Sequence, residues 1–101
     1  MDLYAIIRRE AWATGGDLEQ AGARSSDVGD NQMSDEIRWI RSYVLGEESG
    51  SLGSVCIYEA SSPEAIREHA QRADLPVTEI IPISDTVVVR SDPVSQAANP
   101  R

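Results

Sequence analysis

Apolar and polar positions along this chain alternate in some stretches and recur every third or fourth residue in others, which divides it into strands and helices. Leu3 to Glu10 alternates, with Leu3, Ala5 and Ile7 on one face and Tyr4 and Ile6 on the other. Apolar groups on both faces predict a strand covered on both sides. Trp12 and Thr14-Gly15-Gly16 break the pattern as a turn, and a helix is expected from Asp17, which is placed to cap it. Leu18, Ala21, Ser25, Val28 and Gln32 or Met33 supply its apolar stripe. Gly22 and Gly29 each weaken a helix interior by about 1 kcal/mol relative to Ala, so this helix must lean on tertiary contacts.

Ile37 to Leu45 returns to alternation. Ile40 and Val44 are expected on the core side, and Trp39, Arg41 and Tyr43 on a partly wet side. The polar connection GEESGSLG reads as a long hairpin and leads into a strand from Ser54 to Ala60. Placing Val55 and Ile57 with Ile40 and Val44 under the helices gathers Cys56 and Tyr58 with Trp39, Arg41 and Tyr43 on one open surface. Ser62-Pro63-Glu64 then starts a second helix: Ser62 caps, Pro63 suits the first position, and Glu64 answers the helix dipole. Its inner side holds Ala65, Ile66, His69, Ala70 and Ala73, and Leu75-Pro76 ends it. Val77 to Ile83 is an edge strand because of Pro82, and Thr86 to Arg90 a further short one. Residues 91–101 lack periodicity and read as a flexible C-terminal tail.

The order is that of the α+β, ferredoxin-like βαββαβ sandwich with an extra C-terminal strand, as one domain over residues 1–90. Helices cover one face of such a sheet. Leaving Trp39, Tyr43 and Tyr58 on the other is costly at about 25 cal/mol per Å² of apolar area, so a homodimer packed sheet to sheet as an α+β barrel is expected.

Composition narrows the chemistry. The chain has 101 residues with a net charge of -8, so it lacks the basic excess that nucleic acid or an anionic membrane surface selects. All nine basic residues are Arg, which excludes Schiff-base chemistry at a lysine. A single Cys excludes an intramolecular disulfide, and the start MDLYAIIRRE does not read as a secretory leader, so the cytoplasm is the expected compartment. With one His and one Cys, a single protomer cannot build a zinc finger or a three-histidine site.

The runs WIRSYV, CIYEA and SPEAIREHAQRADLPVTEI, in that order and spacing, resemble the family of small ferredoxin-like nickel-binding proteins known as domain of unknown function 4242. The likeness spans Leu3 to Ile83. It implies a dimeric α+β barrel that binds nickel, and it implies no reaction.

His69 is the leading candidate metal ligand, because a neutral imidazole suits Ni(II); the alternative is a packed histidine bonded to backbone. Glu59 and Cys56 are further candidate ligands, their alternatives being a solvated carboxylate and a small buried hydrophobe. Trp39, Arg41, Tyr43 and Tyr58 are read either as dimer-interface residues or as the lining of a pocket for a small apolar or anionic ligand. Two functions are therefore carried: a non-enzymatic metal-binding homodimer, and a barrel enzyme or carrier resembling monooxygenases of the same fold.

Overall fold

The structure, a computed structural model, describes residues 1–93. Strand β1 (Asp2–Trp12) is followed by helix α1 (Gly15–Asp27), whose last turn widens into a π-helical turn over Val28–Gln32. Strands β2 (Ile37–Gly46) and β3 (Leu52–Ala60) form a hairpin, and helix α2 (Pro63–Ala73) leads to the short strand β4 (Glu79–Pro82). The sheet is antiparallel throughout, in the order β2-β3-β1-β4. This is the ferredoxin-like arrangement expected from the sequence, with both helices on one face.

Helix α2 begins as its sequence predicts: the Ser62 hydroxyl accepts the Ala65 N–H at 3.1 Å, and Pro63 takes the first turn. Asp74, in the left-handed region at φ 55°, closes it. Helix α1 starts earlier than expected. Thr14, not Asp17, caps it by accepting the Asp17 N–H at 3.1 Å, and the two glycines enter the first turn. Asp17 is thus left where its charge meets the positive end of the helix. The Arg24 Nε of α1 donates to the Ala73 carbonyl at 2.7 Å, tying the two helices together. A Cβ at Gly22 would lie in ordinary contact with Trp39, and one at Gly29 in ordinary contact with His69, so neither site excludes a side chain's first carbon.

Tyr4, Ile6, Val28, Met33, Ile37, Cys56, Tyr58, Ala60, Ala65, Ile66 and Ala73 form the core between sheet and helices. Cys56 and Tyr58 therefore face the helices, the reverse of the orientation expected. In β3 this follows the pairing with β1, where Cys56 lies opposite Ile6 and Tyr58 opposite Tyr4. In β2, Trp39 pairs with Tyr58 but Arg41 pairs with Ile57, so Ile40 is an extra residue and the alternation changes phase there. Ile40 and Val44 are 41% and 52% exposed rather than buried in the core. A second irregularity lies in β1, where Arg9, Glu10 and Ala11 intervene between the pairs Arg8–Ser54 and Trp12–Leu52. Glu47 fills the resulting bend, accepting the Arg9 guanidinium through both oxygens and the Glu10 N–H at 2.6 Å.

Thr86 to Arg90 forms no strand. After the Ile83 N–H bonds the Leu3 carbonyl at 2.9 Å, the chain leaves the ladder. It passes the open face with Val87, Val88 and Val89 exposed, and the Asp92 carboxylate accepts from the Tyr43 hydroxyl at 2.8 Å and from Arg41 at 3.2 Å. Of the tail expected over 91–101, residues 94–101 lie outside the described residues.

Candidate functional site

The residues singled out by type separate onto the two faces of the sheet. Trp39 and Tyr58 lie under the helices, stacked in parallel with ring centroids 6.1 Å apart. Arg41 and Tyr43 lie on the opposite, open face with Asp92. A pocket lined jointly by Tyr43, Tyr58 and Arg41 is therefore not formed within the protomer, because the bulge at Ile40 divides the row. Glu59 also belongs to the open face, at the end of β3, in an ion pair with Arg38 at 3.0 Å.

His69 and Cys56 are enclosed on the helix side, at 1% and 5% exposure. The His69 Nε2 lies 3.1 Å from the Ser25 carbonyl, which can only accept, so Nε2 carries the hydrogen. The Nδ1 atom is buried without a hydrogen-bond partner. The ring meets the edge of Tyr58 at 5.3 Å, and the Tyr58 hydroxyl shares a 2.7 Å hydrogen bond with the Ser25 hydroxyl. Burial holds His69 below its ordinary pKa, opposed by the bond to Ser25 and reinforced by the charge of Arg8. Burial likewise pushes the Tyr58 hydroxyl above the usual phenol range, so it stays neutral.

His69 makes stability depend on pH. Its folded pKa lies below the unfolded 6.5, so the unfolded chain takes up the proton first. The stability it contributes is fully present above 6.5 and is lost as pH falls below that value toward the folded pKa. Urea melts between neutral pH and about pH 5.5 are expected to show this decline, and His69→Gln to flatten it; an unchanged slope in His69→Gln would place the titration elsewhere.

Sequence inspection missed Arg8. It is 1% exposed, and its guanidinium donates to the Pro76 carbonyl at 2.7 Å. Among the described residues no carboxylate lies within 4.0 Å of it. The alternation Tyr4, Ile6, Arg8 carried the signal, since it places Arg8 on the same inward face. Arg8 lines a cavity of about 300 Å³ between α1 and the sheet, with Trp12, Ala21, Gly22, Trp39, Cys56 and Tyr58 among its walls.

For a divalent metal the three candidate donors do not fit one site. Glu59 is across the sheet from Cys56 and His69, both of which are enclosed under the helices, and the Arg8 charge opposes a cation beside them. Among the described residues no group of three or more His, Cys, Asp or Glu is placed to hold a metal ion. No helix among them is long and apolar enough to cross a membrane.

A ferredoxin-like α+β protein with one helix-covered face and one open sheet face is the class these features define. The chain belongs to the nickel responsive protein SCO4226-like family, whose model matches residues 4–83. Among solved structures, the crystal structure of SCO4226 from Streptomyces coelicolor A3(2) resembles it with a TM-score of 0.67 at 20% identity, covering 84% of this chain and 99% of that one. At that identity the likeness shows the fold. No curated protein matches the chain.

Proposed function

We propose that the protein is a non-enzymatic, nickel-binding homodimer of the cytoplasm that pairs through the open face of its sheet. The observation that carries this reading is the composition of that face. Leu3, Ala5, Ile7, Val55 and Ile57 are only half-buried there, beside exposed Ile40 and Tyr43, and no helix covers them. Pairing two such faces removes apolar area from water. The family's nickel responsiveness supports the metal, and a site made from both protomers answers the dispersal of donors within one. Of the three candidate ligands, Glu59 is the one that a partner copy can reach; Cys56 and His69 are enclosed under the helices.

Native mass spectrometry of the untagged chain, alone and with stoichiometric Ni(II), tests this. The expected result is a dimer that takes up a defined number of ions, loses them in Glu59→Gln and keeps them in His69→Gln. A monomer, or a dimer that takes up no nickel, would overturn it.

A further inference from the structure

We propose that the cavity between α1 and the sheet is a binding site for a small amphipathic carboxylate, whose anionic head meets Arg8 and whose apolar tail lies between Trp12, Trp39 and the small-residue face of α1. The inference goes beyond the nickel reading and is independent of it.

Three observations carry it. First, the space is built rather than incidental: Ala21, Gly22 and Ser25 keep the α1 surface thin opposite Trp39, Cys56 and Tyr58, leaving about 300 Å³. That volume corresponds to about ten water-sized groups, the size of a short-chain or single-ring acid. Second, its walls are mostly apolar, and both tryptophans of the chain take part. Third, its buried cation has no carboxylate partner among the described residues. A guanidinium has donors in a planar fork suited to a carboxylate, and that of Arg8 meets only the Pro76 carbonyl and the neutral Tyr58 hydroxyl among them. A buried charge without a counter-charge is costly to keep in a fold; a bound carboxylate supplies the counter-charge. The Tyr58 hydroxyl, kept neutral by burial and bonded to Ser25, stands near Arg8 as a further polar group at the same end. A metal cation is disfavoured by that same charge.

The two tryptophans provide the readout. Titration of the full chain with sodium octanoate is expected to give a saturable change in tryptophan fluorescence. 1-Octanol, with the same tail and no charge, is expected to bind at least about tenfold more weakly, and acetate to give no saturable change, since a hydrogen bond to a charged group contributes that much or more. Arg8→Met should weaken octanoate by about tenfold or more and leave octanol unchanged. Gly22→Leu should weaken both by filling the cavity, and it improves helix propensity, so it remains informative even if Arg8→Met fails to fold by circular dichroism. No saturable response at millimolar octanoate, equal binding of octanoate and octanol, or undiminished binding in Gly22→Leu would each overturn the proposal.

Discussion

Ile6→Ala is expected to remove about 3 to 5 kcal/mol of stability, by losing buried methyl groups and leaving a cavity that the surrounding sheet cannot close. Ile6 is 0% exposed and sits at the middle of β1, paired with Cys56 on one side and Ile80 on the other. In a domain of this length such a loss lowers the melting temperature by about 15 to 30 °C. Ile7→Ala, one residue along and on the open face, is expected to cost about 1 kcal/mol or less in the protomer and to show its main effect in dimer dissociation. Urea denaturation of the two variants, with size-exclusion chromatography on dilution, checks both. Equal losses would mean that β1 is not oriented with Tyr4, Ile6 and Arg8 toward the helices.

Gly53→Ala is expected to be the second most damaging single change, at about 3 kcal/mol, because it forces overpacking against backbone rather than against a flexible side chain. A Cβ at Gly53 would stand 2.5 Å from the Arg8 carbonyl oxygen and 2.7 Å from a Glu47 carboxylate oxygen. Gly53 faces the bend in β1 where Arg9 to Ala11 have no paired partners, and Glu10 adopts a φ of 50° there. Relief would require moving that bend and releasing the Glu47 bonds to Arg9 and Glu10. Gly46→Ala, whose Cβ meets nothing within 4 Å, is the control and is expected to be near neutral in the same thermal melts. A mild effect of Gly53→Ala would show that the β1 bend is soft.

The second helix was legible almost to the residue, because its signals are local. A hydroxyl cap, a proline in the first turn and an inward stripe of Ala65, Ile66, His69, Ala70 and Ala73 all act within a few residues of one another. The β2 strand was legible as a strand but not as a surface. A bulge at Ile40 exchanges the faces of everything after it, and nothing in IRWIRSYVLG marks it, because the extra residue is defined by pairing with β3. That single irregularity separates Trp39, which stays with Tyr58 under the helices, from Arg41 and Tyr43. The strand expected at Thr86 to Arg90 failed for a related reason: its valines have the propensity for a strand, but no neighbouring edge accepts their hydrogen bonds.

By itself the sequence determined the kinds and order of the elements as far as β4, the ferredoxin-like topology that order allows, and the family to which the chain belongs. Local propensity, capping and periodicity act over short spans, and they suffice for that much. Only the tertiary structure decided which side chains share a face. It placed Arg8 in a cavity with no carboxylate beside it among the described residues, committed the His69 Nε2 hydrogen to Ser25, and left Glu59 across the sheet from Cys56. Those outcomes depend on strand register and helix approach, and register is set by partners distant in the chain.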